Sequence, residues 1–360
     1  MASPHILMTG GGTLGPVTPL IAIVDAWKLH DPGLRVSWIG TPRGPERELI
    51  ERRHETFYDL SAPKLSRHAW WQWPYIGPLF AISLVRSFLY LREIQPDMVF
   101  SAGGYVSVPV AIVAKLLGIP VWVHQLDVVP GIANKLMAPF ATQLSVTWEE
   151  SMDAFPARKT MVVGGMLRKE VEGGNKQAFM KRHGLRDTLP TLFVLGGGTG
   201  ATQLNQAMEV LARELLKKMN IVHLTGMGKM IPSLEEMGAG YVVTEFMDEE
   251  MKDAYATADV VVARAGMGTI FEVAGLVKPT ILVPIKGSHQ EANARVMEER
   301  GATKVMWHFT PQLLKQEIEK LMNNPADRRA LGEAVKRAVT TRGTERIVER
   351  AIALITKERP

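Results

Sequence analysis

A chain of 360 residues is too long for one ordinary core and suits two domains. Hydrophobic residues make up 46% and charged residues 22%, which excludes a disordered chain. The net charge of +5 is mild and dispersed, so it fits an anionic substrate or an anionic membrane surface and does not argue for nucleic acid, and the lack of cysteine excludes disulfides, cysteine-based zinc sites and thiol catalysis.

The first strand is read at Ile6-Leu7-Met8, a short apolar run that passes straight into glycines. No basic region followed by a long apolar core precedes it, so the start does not resemble a signal peptide. No stretch reaches the roughly 18 apolar residues that span a bilayer, and the expectation is a cytoplasmic chain that touches a membrane. Gly10-Gly11-Gly12-Thr13 follows, then a helical pattern on Leu20, Ile21, Ile23 and Val24, then a strand at Val36-Ser37-Trp38-Ile39. Further buried strands are predicted at 98–100, 121–123 and 144–146, and Gly164-Gly165 marks a linker between 161 and 168. The pattern then repeats. Leu192-Phe193-Val194-Leu195 leads into Gly196-Gly197-Gly198-Thr199, a helix on Leu204, Met208, Leu211 and Leu215, and a strand at Ile221-Val222-His223-Leu224. Strands at 241–243, 260–262 and 280–283 and amphipathic helices over about 311–322 and 325–357 complete the chain. Strand, glycine loop, helix, strand occurring twice implies two α/β domains with parallel, doubly wound Rossmann-like sheets. The expected division is 1–162, 163–340 and a terminal segment 341–360 that packs back on the first domain.

Glycines between a strand and a helix let backbone N–H groups approach a phosphate, and the helix N-terminus adds partial positive charge. They also permit tight strand–helix packing, which is the plainer alternative for either loop. Gly10, Gly12 and Gly15 satisfy G-x-G-x-x-G, but the second strands end at Gly40-Thr41 and Thr225-Gly226, without the acid that holds a dinucleotide ribose, which argues against NAD. Neither a P-loop nor a G-x-S-x-G elbow is present. In the second half, Arg264-Ala265-Gly266-Met267-Gly268-Thr269-Ile270-Phe271-Glu272 again places small residues before a helix. Glu272 is expected in the first helical turn, either accepting two sugar hydroxyls or complementing the helix dipole. Ser288-His289-Gln290-Glu291-Ala292-Asn293 opens the next helix and adds polar side chains at the same strand ends.

With these segments in order, the chain resembles the MurG family, inverting GT-B glycosyltransferases of peptidoglycan synthesis. The resemblance runs over nearly the whole chain, through Ser101-Ala102-Gly103-Gly104-Tyr105, His124-Gln125-Leu126-Asp127, Gly131-Ile132-Ala133-Asn134, Thr244-Glu245-Phe246-Met247 and His289-Gln290 as well as the glycine loops. It implies a GT-B fold with an interdomain cleft, UDP-N-acetylglucosamine as donor, and a polyprenyl-pyrophosphate-linked N-acetylmuramoyl-pentapeptide as acceptor. It implies no cofactor and no metal, a first domain that binds acceptor and membrane, and a second that binds the donor. Carried onto this chain, Glu272 would hold the ribose, Met247 would meet the uracil through its backbone, and Met267, Gly268 and Thr269, with Ile270 and Phe271 behind them, would line the nucleoside and diphosphate. Gln290 would contact the donor sugar, Arg168 and Gly198 would lie by the donor phosphates, and Thr13, Leu14 and Gly15 with Tyr105 would face the acceptor pyrophosphate.

The chain departs from the family at the base. Pro16 stands where the family usually has a histidine after its first glycine loop, Gly198 replaces a serine, and the usual His-Glu-Gln-Asn reads His124-Gln125-Leu126-Asp127. Asp127 is therefore the expected base or acceptor-orienting group, with His124 beside it; the alternatives are a turn-capping Asp127 and a satisfied strand-end His124. A divergent transferase with another glycolipid acceptor and an inactive UDP-sugar-binding relative remain open. Finally, residues 60–92 contain no acid, and Lys64, Arg67, Arg86 and Arg92 are interleaved with Trp70, Trp71, Trp73, Tyr75, Phe80, Phe88 and Tyr90. This composition suits a peripheral segment at the cytoplasmic face of the cell membrane, or else a core helix under a surface loop.

Overall fold

The computed structural model describes residues 3–64, 73–197 and 201–358, and their side chains except those of 73–75 and 357–358. The chain forms two compact units, one of Met1–Met166 with Arg342–Pro360 and one of Leu167–Thr341.

The first unit is built on strands β1 (His5–Thr9), β2 (Arg35–Gly40), β3 (Thr56–Asp59), β4 (Met98–Ser101), β5 (Val121–Gln125), β6 (Gln143–Val146) and β7 (Thr160–Val162). They form one sheet in the order β3-β2-β1-β4-β5-β6-β7, parallel throughout. Its helices are α1 (Thr18–His30), α2 (Glu46–Arg52), α3 (Trp73–Ile94), α4 (Ser107–Leu116) and α5 (Ile132–Met137). Central strands covered by helices on both faces read as unbroken apolar runs, which is how β4 and β5 appear.

The second unit repeats the plan. Strands β8 (Thr191–Leu195), β9 (Asn220–Leu224), β10 (Tyr241–Thr244), β11 (Val260–Ala263), β12 (Thr280–Leu282) and β13 (Lys304–Val305) pair in parallel in the order β10-β9-β8-β11-β12-β13. The helices are α6 (Lys176–Arg182), α7 (Thr202–Leu215), α8 (Pro232–Glu235), α9 (Met251–Thr257), α10 (Met267–Gly275), α11 (Gln290–Glu299), α12 (Pro311–Asn323) and α13 (Pro325–Ala338). Amphipathic α7 turns Leu204, Met208, Leu211 and Leu215 onto the sheet.

The expected helix over 325–357 is two helices. α13 ends at Ala338, Val339 is extended, and α14 (Gly343–Glu358) packs on α1 of the first unit. The β-branched run Val339-Thr340-Thr341 leaves the helix, and Arg342 pairs with Met166 as an antiparallel bridge. Gly343 is fixed by close approach as well, since a Cβ there would lie 2.7 Å from the carbonyl oxygens of Gly164 and Gly165.

In both sheets the strand order reverses beside the first strand, between β1 and β4 and between β8 and β11. Ligands of open α/β sheets bind outside the carboxyl ends of the strands at such a switch point. The first glycine loop lies there, as does the start of the second at Gly196-Gly197.

Candidate functional site

In the first unit three segments meet at the switch point. The loop after β1 and the Ser101–Tyr105 segment after β4 touch backbone to backbone, since a Cβ on Gly104, whose φ is +94°, would lie 2.9 Å from Gly11 N. Tyr105 covers Gly12, with its Cε1 3.0 Å from where a Cβ would stand. Thr13 and Gly15 are exposed and Leu14 is half-buried, so the expected acceptor loop is presented at the surface of its unit.

One residue of this loop's surroundings carries no sequence signal. Glu46, at the start of α2, is buried and turns its carboxylate onto the glycine loop. It accepts from Gly12 N–H at 3.2 and 3.3 Å, from Thr41 N–H at 2.8 Å and from the Thr41 hydroxyl. The acid absent from the end of β2 is thus supplied a few residues later and spent on the loop's own backbone. Gly11 and Gly44 are glycines for the same reason, because a Cβ on either would fall 2.1 or 2.0 Å from a Glu46 oxygen.

The third segment follows β5. His124 is 1% exposed, with Nδ1 2.9 Å from Ser145 Oγ and Nε2 3.4 Å from Thr147 Oγ1. Burial pushes its pKa down to about 3, so it is neutral at physiological pH with both nitrogens engaged. Gln125 organises the turn beyond it, donating to the carbonyl of Asp127 at 2.8 Å and accepting from Asn134 Nδ2 at 2.6 Å. Asp127 is half-buried in that turn.

In the second unit two of the expected donor-site residues, Arg168 and Glu272, come together on one carboxylate. Glu272 lies in the second turn of α10 and not the first, because the helix starts at Met267 after a Gly266 cap. Its side chain is 8% exposed. Arg168 donates to Oε1 through Nε at 3.0 Å and through Nη2, and the Tyr255 hydroxyl of α9 donates to Oε2 at 2.7 Å. Glu272 raises the Arg168 pKa, and burial together with Glu272 raises that of Tyr255 well above its ordinary value, so both donors keep their protons. Tyr255 was not legible as a site residue.

The N-terminus of α10 is open. No side chain caps it, and Cβ atoms on Gly266 and Gly268 would meet nothing within 4 Å. Met267, Thr269, Ile270 and Phe271 are buried, and Gly268 alone of this group is exposed. Asn293 of α11 donates to the Ala265 carbonyl at 3.1 Å and braces the turn. Gln290 begins α11 and accepts from Ile285 N–H at 3.2 Å. Met247 is buried beside the half-exposed Phe246. Gly198, with Thr199 and Gly200, lies outside the described residues, as do Arg67, Trp70 and Trp71 of the aromatic segment.

That segment continues into α3, which runs from Trp73 to Ile94 and includes Pro78. Its outer face exposes Ile82, Val85, Phe88 and Leu89 at 44–61%, with Arg86 and Arg92 also exposed. Among the described residues no helix is long and apolar enough to cross a membrane, and no group of His, Asp or Glu side chains could hold a metal ion.

Comparison with known proteins matches residues 6–146 to the glycosyltransferase family 28 N-terminal domain and residues 191–347 to the glycosyltransferase family 28 C-terminal domain. A Clostridium kluyveri protein named UDP-N-acetylglucosamine--N-acetylmuramyl-(pentapeptide) pyrophosphoryl-undecaprenol N-acetylglucosamine transferase is 36% identical over 323 residues, covering 88% of this chain and 90% of its own. A Lachnoclostridium phytofermentans protein of the same name is 33% identical over 351 residues, covering 96% and 97%. Among solved structures, Acinetobacter baumannii MurG superimposes with a TM-score of 0.75 at 25% identity over 98% of this chain and 99% of that one. A putative UDP-N-acetylglucosamine 2-epimerase from Listeria monocytogenes shares the fold, with a TM-score of 0.73 at 11% identity over 99% and 98%.

Proposed function

The chain belongs to the MurG family of family 28 glycosyltransferases, and on that premise we propose that it transfers N-acetylglucosamine from UDP-N-acetylglucosamine to a lipid-linked N-acetylmuramoyl-pentapeptide. The observation that carries this reading is the Arg168–Glu272–Tyr255 cluster beside the uncapped α10 N-terminus, at the switch point of the second sheet. A carboxylate held by two donors at that place is poised to accept the two ribose hydroxyls, and a guanidinium beside it is poised to take phosphate. Met247 meets the uracil through its backbone. Met267, Gly268 and Thr269 present amides to the nucleoside and diphosphate over the buried Ile270 and Phe271, and Gln290 faces the sugar. Gly198 belongs to the phosphate loop.

In the first unit Thr13, Leu14, Gly15 and Tyr105 receive the acceptor's pyrophosphate. Inversion needs a base that takes the acceptor hydroxyl proton as its oxygen bonds the anomeric carbon and the bond to UDP breaks. Pro16 has no proton to exchange, and His124 is buried and neutral with both nitrogens engaged. Asp127 is the base in this reading, with His124 shaping the strand end behind it. The exposed apolar face of α3 and its arginines hold the protein to an anionic membrane, where the lipid-linked acceptor resides.

The test is release of UDP from UDP-N-acetylglucosamine with and without the lipid-linked acceptor. Release that depends on acceptor is the expected result. Tight UDP binding with no release in either condition would replace the transferase with a binding-only relative.

A further inference from the structure

Arg264 lies one residue beyond β11 and is 8% exposed. Its Nη1 donates to the Val283 carbonyl beyond β12 at 2.9 Å, and its Nη2 donates to Gln203 Oε1 at 3.2 Å. Gln203 is the second residue of α7, so the guanidinium spans the ends of two strands and the first turn of the helix after the second glycine loop. Nε is buried with no partner. Among the described residues no carboxylate pairs with this cation. Burial alone lowers its pKa, and Glu272 on the helix that follows is taken by Arg168 and Tyr255. A guanidinium stays charged in proteins, so this is a buried positive charge held by neutral groups.

Such a charge is costly unless something compensates it, and the helix ends beside it have the same sign. The N-termini of α7 and α10 both start beside it, and neither is capped by a side chain. Two helix N-termini and an unpaired guanidinium converge at the carboxyl ends of β8, β11 and β12, a place built for an anion with two phosphoryl groups.

We propose that Arg264 is the internal counter-charge for the donor's diphosphate, supplying from the sheet edge the charge that stabilises the departing nucleoside diphosphate. The inference rests on the donor reading above and adds to it a residue which that reading left without a role. Its bonds to Val283 and Gln203 fix the guanidinium before the donor arrives, so no reorganisation is needed as charge builds on the leaving group.

The experiment compares binding of UDP and of uridine, by titration calorimetry, to the wild-type chain, Arg264→Met and Arg264→Lys. The two ligands differ only in the diphosphate, and uridine also reports whether the nucleoside site is still folded. Removing a charge-assisted hydrogen bond from a buried site weakens UDP binding by about ten- to a hundredfold. Arg264→Met is expected to show that weakening with uridine affinity unchanged, and Arg264→Lys, which keeps a charge, to recover part of it. Equal weakening of UDP and uridine, or a lysine variant as weak as the methionine variant, would make Arg264 a brace and overturn the proposal. Unchanged UDP affinity in Arg264→Met would overturn it outright. A wild-type chain that binds uridine but gains nothing from the diphosphate would overturn the donor reading along with it, whereas wild-type preference for UDP retained in both variants would overturn this inference alone.

Discussion

Removing Arg168 and removing the Glu272 charge perturb the same ion pair, yet the structure predicts unequal costs. Glu272 is 8% exposed and Arg168 is 34% exposed, so each loses a partner in a different medium. Arg168→Met leaves a buried carboxylate with one remaining donor, the Tyr255 hydroxyl at 2.7 Å. Breaking a buried pair from one side costs about 3–5 kcal/mol, and the partial access of water at Arg168 reduces this to about 2 kcal/mol. Glu272→Gln keeps the shape and an acceptor oxygen, and it strands a guanidinium that water already reaches, for about 1 kcal/mol. For a unit of this size the first change lowers Tm by about 4–8 °C and the second by about half of that. Scanning calorimetry of both single variants and the double variant completes a cycle, with an expected coupling of about 1 kcal/mol or more. In the proposed reading the donor then competes with the pair, because ribose hydroxyls and diphosphate call on the same groups. Saturating UDP should therefore shrink the measured coupling. Equal losses from the two single variants, or a coupling within about 0.3 kcal/mol of zero, would refute the reasoning.

Other consequences are testable in the same preparations. Asp127→Asn should lower transfer by about a hundredfold or more while UDP affinity is kept, and full activity in that variant would remove Asp127 as base. Glu46→Ala strands the Gly12 and Thr41 amides, which should cost about 2–4 kcal/mol in denaturant titrations, and it should raise KM for the lipid acceptor more than KM for the donor. Val85→Glu with Leu89→Glu should abolish salt-sensitive binding to anionic vesicles and shift stability by no more than about 1 kcal/mol, since both positions are more than half exposed. His124 and His223 are each held at a pKa of about 3 by burial. The unfolded chain takes up those protons below about pH 6.5 and the folded chain does not. Stability that is complete above pH 6.5 should therefore fall by about 1.4 kcal/mol per pH unit per histidine toward pH 3, and a pH titration of His124→Asn should show the shallower slope.

The strands were legible because parallel strands buried on both faces leave short apolar runs, and every run predicted between Ile6 and Leu282 lies on a strand of the two sheets, with Val283 just past the last. The break after Ala338 was hidden because the residues around Val339-Thr340-Thr341 keep a helical apolar period. Only the Met166–Arg342 bridge and the close packing of Gly343 on Gly164 and Gly165 single the segment out. Bonds between distant elements left no local trace either. Tyr255 reaches Glu272 from another helix, and Glu46 reaches Gly12 across 34 positions.

Those distant bonds separate two loops that the sequence writes identically. Gly10-Gly11-Gly12-Thr13 and Gly196-Gly197-Gly198-Thr199 follow equivalent strands at equivalent switch points. The first has a buried carboxylate, Glu46, bonded to one of its amides. The helix after the second has a buried guanidinium, Arg264, bonded to its first turn. A carboxylate bonded to a loop amide repels a phosphate and consumes that amide, and a guanidinium attracts a phosphate. In the proposed reading the second site is therefore the stronger anion trap, suited to a diphosphate that gains charge as it leaves. In the same reading the first suits a pyrophosphate whose ester bonds stay intact and which must depart with the product. Two copies of one motif thus acquire unequal electrostatics, through side chains that lie outside the motif.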